Sequence, residues 1–280
     1  MIFQAHLHVL EPAKMIPVFL VWILAMAISL ILLFTKKLTK LLSIAILTVS
    51  FIVTGLIFGA MPNPVFPIQN IAVGINMNAP LQQLLPLAVI LLVLIVTTIL
   101  FGRIFCSYAC PLGAIQEIMS KIQFKTSLKA QKKEKTIPLN SKIASYIRLG
   151  YFILFIGAGI IWGASVIQYL NIFIGLQIFA NPLFPMIVIP AVLLGIIIIT
   201  SILVYRPWCR LFCPFGTIAG FTSRFSKFVL CRTEDCTDCG LCEKICPTQE
   251  AELDSKKGEC YLCNRCVEIC PQNAIVYKTK

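Results

Sequence analysis

The sequence predicts a polytopic helical membrane protein of about five spans, built as two tandem hairpin repeats of like orientation and followed by a small cysteine-rich α+β domain. Three observations lead there. Mean hydropathy is +0.88 and only 13% of the 280 residues are charged, far too apolar a balance for a soluble domain. The charges leave long gaps, with none between Lys14 and Lys36, between Lys40 and Arg103, or between Arg148 and Arg206. Eight of the thirteen cysteines fall in two matched runs near the carboxy terminus.

A helix crosses a bilayer core with about 20 apolar residues. Segments 15–35, 41–60, 81–102, 147–167 and 186–205 meet that length. Pro17, Pro86 and Pro190 sit near the starts of three of them, where a missing N–H costs little. With the amino terminus outside, 23 of the 24 Lys and Arg residues collect on one face, which is the cytoplasmic face by the positive-inside rule. The net charge of +12 therefore flanks apolar spans and does not indicate nucleic-acid binding. The first fourteen residues lack a basic n-region, and no small-residue cleavage site follows, so a cleavable signal peptide is not expected. The linker 121–142 carries seven lysines and one glutamate and is expected to lie in solvent or on anionic lipid.

An internal repeat organises the membrane part. The loop after the second span contains Asn63-Pro64-Val65-Phe66-Pro67, and the loop after the fourth contains Asn181-Pro182-Leu183-Phe184-Pro185. The third span ends in GRIFCSYACPLG (102–113) and the fifth in YRPWCRLFCPFG (205–216). Two copies of one orientation relate by an axis along the membrane normal. Their cysteines are then expected to meet at the cytoplasmic edge, with the pairs Gly55/Gly59 and Gly159/Gly163 available for close helix approach. The expected divisions are 1–40 (amino-terminal span), 41–120 (first hairpin), 121–146 (basic linker), 147–230 (second hairpin) and 231–280 (cysteine-rich domain).

The chemistry of the last division follows from spacing. Cys236-x2-Cys239-x2-Cys242-x3-Cys246-Pro247 is repeated as Cys260-x2-Cys263-x2-Cys266-x3-Cys270-Pro271, the run of bacterial two-cluster ferredoxins, in which the fourth cysteine serves the other cluster. One [4Fe–4S] cluster is thus assigned to Cys236, Cys239, Cys242 and Cys270, the other to Cys260, Cys263, Cys266 and Cys246. Zinc ribbons use two Cys pairs per metal at longer separations, and disulfides need an oxidising compartment; neither suits this run. Cys231 is left as a spare thiol.

Cys106, Cys110, Cys209 and Cys213 form a second set. Spacing i, i+4 puts both sulfurs of a pair on one helix face, so two pairs related by the repeat bring four thiols to one point. A third, iron–sulfur centre fits, and so do a soft metal such as Cu(I) or zinc, redox dithiols, or buried small side chains. Arg103, Arg206 and Arg210 beside the motifs would either stabilise thiolates or anchor the helix ends. Bis-histidine haem is not supported, since His6 and His8 are the only histidines.

Hairpins ending in Cys-x3-Cys-Pro at 106–111 and 209–214, followed by the ferredoxin run at 236–271, resemble the NapH-type membrane ferredoxins, a group that includes NosR and the CcoG/RdxA proteins. The resemblance covers roughly residues 41–280. It implies a multi-pass protein of the prokaryotic cytoplasmic membrane that transfers electrons between a cytoplasmic donor or quinone pool and a membrane or extracytoplasmic redox partner; the leading reading is an electron-transfer subunit with no substrate turnover of its own. Gln69, Asn70, Asn76, Asn78, Gln82 and Gln83 are candidates to line a quinone or partner site, or else caps at the interface. Two other readings are a CcoG-like cupric reductase and an iron–sulfur redox sensor. The span at 15–35 is extra to the four-helix core of NapH, and the extracytoplasmic flavin domain of NosR has no counterpart here.

Overall fold

The computed structural model describes residues 12–59, 61–123, 139–163, 169–179 and 187–280. The second Asn-Pro-x-Phe-Pro turn, both histidines and most of the basic linker lie outside the described residues. The membrane part comprises α1 (Pro12–Phe34), α2 (Lys40–Ser50, widening into a π-type turn over Phe51–Ile57), α3 (Val65–Asn76), α4 (Leu81–Phe101), α5 (Pro111–Gln123), α6 (Ser141–Trp162), a 3-10 stretch Ile172–Phe179, and α7 (Val188–Leu203). Short helices α8 (Pro207–Leu211) and α9 (Pro214–Thr222) follow.

Four helical stretches are long and apolar enough to cross a membrane: Ile16–Phe34, Lys40–Ile57, Leu81–Phe101 and Ser141–Trp162. The fifth expected span is α7, of 16 residues, about 24 Å long and short of a full crossing. Ile23 and Ile31 on α1, Leu92 on α4 and Ile153 on α6 are exposed, so the apolar faces point outward, as lipid-facing helices require.

Helix α6 starts six residues ahead of the expected 147, because Asn140 caps it, accepting the Lys142 N–H at 2.9 Å. Arg148 therefore lies within a helix and is buried. The Asn63-Pro64 turn likewise opens a helix: Asn63 Oδ1 accepts the N–H groups of Val65 (2.9 Å) and Phe66 (3.3 Å). The polar residues of α3 brace the bundle. Asn171 Nδ2 donates to Gln69 Oε1 at 2.6 Å and Asn76 Nδ2 to Ile160 O at 2.6 Å, while Asn70 Nδ2 bonds within α3 to Phe66 O at 2.9 Å. Gly59 (φ 59°) and Gly163 (φ 64°) take left-handed backbone conformations, and Gly163 is the C-cap of α6; the second glycine of each pair thus marks where a helix ends.

The carboxy-terminal domain consists of strands β1 (Phe228–Arg232) and β2 (Ile275–Thr279) enclosing two short helices, α10 (Leu241–Ile245) and α11 (Arg265–Ile269). The strands pair antiparallel from Phe228↔Thr279 to Arg232↔Ile275. This sheet docks on the membrane part through aromatic rings and backbone bonds. Phe34 lies 5.3 Å from Phe228 and 4.9 Å from Tyr277, and Phe101 stacks on Phe228 at 5.7 Å. Tyr277 O–H donates to Phe101 O at 2.8 Å, and Asn264 Nδ2 donates to Leu38 O at 2.6 Å. The ends of α1 and α4 and the start of α2 thus define one junction plane with the domain.

Candidate metal centres at the membrane junction

Left-handed residues recur at equivalent places in the two ferredoxin runs: Asp238 and Leu262, Gly240 and Asn264, Gln249 and Asn273, all with φ between 48° and 70°. These turns fold each Cys-x2-Cys-x2-Cys stretch around a common point, and α10 or α11 then carries the chain to its fourth cysteine. Cys236, Cys239, Cys242 and Cys270 line one cavity. Cys246, Cys260, Cys263 and Cys266 line another. Each cavity is lined by three cysteines of one run and the fourth cysteine of the other. Equivalent backbone donors serve both fourth cysteines, with the Glu250 N–H reaching Cys246 Sγ at 3.2 Å and the Ala274 N–H reaching Cys270 Sγ at 3.3 Å. Such N–H···S bonds are one means by which a protein sets the potential of an iron–sulfur centre.

The two cavities face different surroundings. Cys239 is exposed, and the lining of its cavity comes wholly from the carboxy-terminal domain. The Cys246/Cys260 cavity also includes Tyr205, from the membrane part. Cys231 borders this cavity as well, but its thiol points toward strand carbonyls, at 3.9 Å from Val229 O and 3.8 Å from Val276 O.

Cys106, Cys110, Cys209 and Cys213 are all buried and line a third cavity, together with Arg103, Trp208, Tyr261, Pro64 and Phe173. Contrary to expectation, this cavity is set in from the junction plane. Phe105 meets Trp22 edge-on at 5.7 Å, and Trp22 lies twelve residues before the end of α1 at Phe34, about 18 Å along the helix. On α6, Tyr151 meets Trp208 and Phe212 at 5.9 and 5.6 Å, ten residues in from Ser141 and so about 15 Å deep. After Phe101 the chain dips into the bundle through 102–110, and α5 climbs back, its Lys121 Nζ donating to Ser43 Oγ at 2.6 Å. Residues 204–222 make the equivalent excursion, returning where Thr222 and Thr98 share a hydroxyl bond of 2.7 Å.

These excursions require close backbone approach. A Cβ on Gly113 would sit 2.1 Å from Cys106 O, and one on Gly216 would sit 2.7 Å from Cys209 O. Gly113→Ala is expected to cost about 3 kcal/mol or more, as overpacking against backbone does, whereas Gly150→Ala meets nothing within 4 Å and is expected to be neutral. Thermal unfolding of the two variants in detergent measures the contrast.

Two carboxylates hold the dipping segments to the carboxy-terminal domain. Glu259 Oε1 accepts Arg103 Nη2 at 2.7 Å and Arg148 Nη2 at 2.6 Å. Glu117 accepts Arg206 Nε at 2.9 Å, Arg265 Nη2 at 3.3 Å and Tyr205 O–H at 2.7 Å. Burial opposes ionisation of Glu117, and the neighbouring Arg206, Arg265 and Lys121 overcome it, holding its pKa at about 2. The arginines also reach the cysteine backbones: Arg206 Nη1 donates to Cys106 O at 2.8 Å and Arg148 Nη1 to Cys209 O at 3.4 Å. Arg210 instead donates to Leu139 O at 2.8 Å. Sequence reading singled out Arg103, Arg206 and Arg210 but missed Glu117, Glu259, Arg148, Trp208 and Tyr261. The available signal was Glu117 itself, the one acid between Glu11 and Glu134.

The residues present fit a sulfur-rich anionic group. The donor sets are all thiols, and all thirteen cysteines are free. On the wall of the third cavity, Trp208 Nε1 and Arg103 Nε are buried donors without an acceptor, a situation worth about 1–3 kcal/mol each that acceptor sulfurs in the cavity relieve. Among the described residues, no three Cys, His, Asp or Glu side chains close around a single ion.

Comparison with known proteins agrees with this chemistry. A family model described as a 4Fe-4S binding domain matches twice, at residues 83–129 and 186–230, each match containing one Cys-x3-Cys-Pro motif. The chain is 30% identical over 182 residues to an uncharacterized protein, MJ0750, of Methanocaldococcus jannaschii, covering 62% of this chain and 71% of that one. It is 28% identical over 162 residues to the methylamine utilization ferredoxin-type protein MauN of Paracoccus denitrificans, covering 56% of this chain and 52% of MauN. With the ferredoxin-type protein NapH of Escherichia coli it shares 22% identity over 191 residues, covering 64% of this chain and 62% of NapH. The chain thus spans only about half to two thirds of these two ferredoxin-type relatives. No solved structure matches it. Its paired membrane cysteine motifs, its carboxy-terminal ferredoxin run and these relatives place the chain in the NapH-type membrane ferredoxin family.

Proposed function

We propose that the chain carries electrons between a cytoplasmic donor or the quinone pool and a redox partner in or beyond the membrane, as a subunit with no substrate turnover of its own. In this reading Cys236, Cys239, Cys242 and Cys270 hold one [4Fe–4S] cluster, and Cys246, Cys260, Cys263 and Cys266 hold a second. Cys106, Cys110, Cys209 and Cys213 hold a third, iron–sulfur centre inside the bundle. When bound, such groups supply one-electron steps at potentials that the protein tunes. The chain's own residues fix the thiols, exclude water from the inner sites and neutralise charge through the buried arginines.

The observation that carries the reading is the succession of cavities. Three four-cysteine sets line three cavities, running from an exposed thiol at Cys239 to a buried set about 15–20 Å along the spans. This succession along the spans supports transfer away from the exposed end of the carboxy-terminal domain. The distribution of Lys and Arg supports a cytoplasmic carboxy-terminal domain, and the doubled family match supports two repeats of one orientation. Reconstitution into liposomes tests the proposal, with dithionite outside and ferricyanide trapped inside. Trapped ferricyanide is expected to be reduced by the iron-loaded chain, either directly or once a membrane-soluble quinone is added. Failure in both conditions, with reducible clusters present, contradicts it.

A further inference from the structure

Resting on that reading, we infer that Tyr261 is the side chain through which the Cys246/Cys260 site and the four-thiol site are electronically joined, making the exposed Cys236/Cys239 site the entry end of a linear path. Tyr261 lines both cavities. Its backbone adjoins Cys260, and its ring extends to the other site, where its O–H donates to Cys209 O at 3.4 Å.

The loops bearing the two cysteine sets are bonded directly. Between Cys106 and Cys110, Ser107 Oγ donates to Tyr261 O and Tyr108 O–H donates to Leu262 O at 2.8 Å. Both acceptors lie between Cys260 and Cys263. The equivalent residues of the other run, Thr237 and Asp238, are exposed, so that run faces away from the membrane thiols.

The ring of Tyr261 is held on both sides. Arg103 and Arg206 flank it with guanidinium carbons 4.7 and 4.6 Å from its centroid, and Arg103 Nη1 donates to its hydroxyl at 2.6 Å. The two arginines occupy equivalent places in the repeat, each three residues before the first cysteine of its motif. Each is paired with its own carboxylate, Glu259 or Glu117. Tyr261 is thereby fixed in place between the two sites. In the step concerned one electron leaves a reduced [4Fe–4S] cluster at the Cys246/Cys260 site and reduces the centre at the four-thiol site. No bond forms or breaks, and Tyr261 is neither oxidised nor deprotonated.

The test compares wild type, Tyr261→Phe and Tyr261→Leu, purified anaerobically with iron determined per chain. A flash photoreductant injects less than one electron per chain, and freeze-quench EPR follows its arrival at the four-thiol centre. Tyr261→Phe keeps the ring and is expected to retain the fast arrival. Tyr261→Leu is expected to lose it while keeping wild-type iron and the wild-type spectra of each centre. Fast arrival in an iron-replete Tyr261→Leu overturns the role of Tyr261 and leaves the three-centre reading standing. Should Tyr261→Leu lose iron, an unchanged arrival rate in Tyr261→Phe together with a slowed one in Tyr261→Ile at full iron content sustains the assignment; unslowed transfer in Tyr261→Ile overturns it. A wild-type protein whose iron is unaffected by removing the four membrane thiols overturns this inference together with the reading beneath it.

Discussion

Glu117→Gln and Glu259→Gln each lower the stability of the membrane junction by about 3–5 kcal/mol, the usual effect of removing one partner from a buried ion pair. Each carboxylate satisfies two arginines that come from different parts of the chain: Glu117 serves Arg206 and Arg265, and Glu259 serves Arg103 and Arg148. Neutralising either acid removes the counter-charge shared by two guanidinium groups, in a region where Arg103 and Arg206 have no solvent exposure. The expected phenotype is a lower unfolding temperature and protease access to the segment around 227–280, with the spans still embedded. The pH behaviour of Glu117 follows from its depressed pKa of about 2. A carboxylate held below its ordinary value stabilises the fold above that ordinary value, and the contribution is lost as pH falls toward the folded value. The gap between wild type and Glu117→Gln is therefore expected to be the same at about pH 7 and about pH 5. A gap that closes over this range contradicts the pairing.

Single serine substitutions at the two fourth cysteines act crosswise. Cys246→Ser removes or converts the cluster whose other cysteines are Cys260, Cys263 and Cys266, and Cys270→Ser does the same to the Cys236, Cys239 and Cys242 cluster. The cavity linings carry this expectation, since each fourth cysteine borders the opposite run. The two variants differ in a measurable way, because one site has the exposed Cys239 and the other borders Tyr205 and Tyr261 in the interior. EPR of Cys246→Ser is expected to retain the signal that solvent reductants and chelators reach fastest, and Cys270→Ser to retain the protected one. The reverse pattern indicates that each run keeps its own fourth ligand.

What sequence could disclose follows the range of the interactions. The ferredoxin run was legible because its cysteines lie three or four positions apart and one cluster geometry imposes that spacing. Four of the five expected spans were legible because lipid demands long apolar helices, although their ends shifted where a local cap such as Asn140 intervened and α7 fell short of a crossing. The depth of the four membrane thiols was not legible. Apolar length says where a helix stops and nothing of whether the chain then turns back into the bundle, as 102–110 and 204–213 do. The ion pairs were equally hidden, since Arg103 and Glu259 are 156 residues apart and Arg206 and Glu117 are 89 apart. Gly113 and Gly216 carried a faint sign of the excursions, standing at equivalent places after Cys-Pro where backbones come too close for a Cβ.

The most direct test of a path through three four-cysteine sites is an iron and acid-labile sulfide count on anaerobically purified protein, paired with the variant in which Cys106, Cys110, Cys209 and Cys213 are all serine. Two [4Fe–4S] clusters account for about eight irons per chain. A wild-type count above about eight that falls to about eight in the variant is the result expected here. A count of about eight in both proteins contradicts a third iron–sulfur centre and leaves the buried thiols to copper or dithiol chemistry.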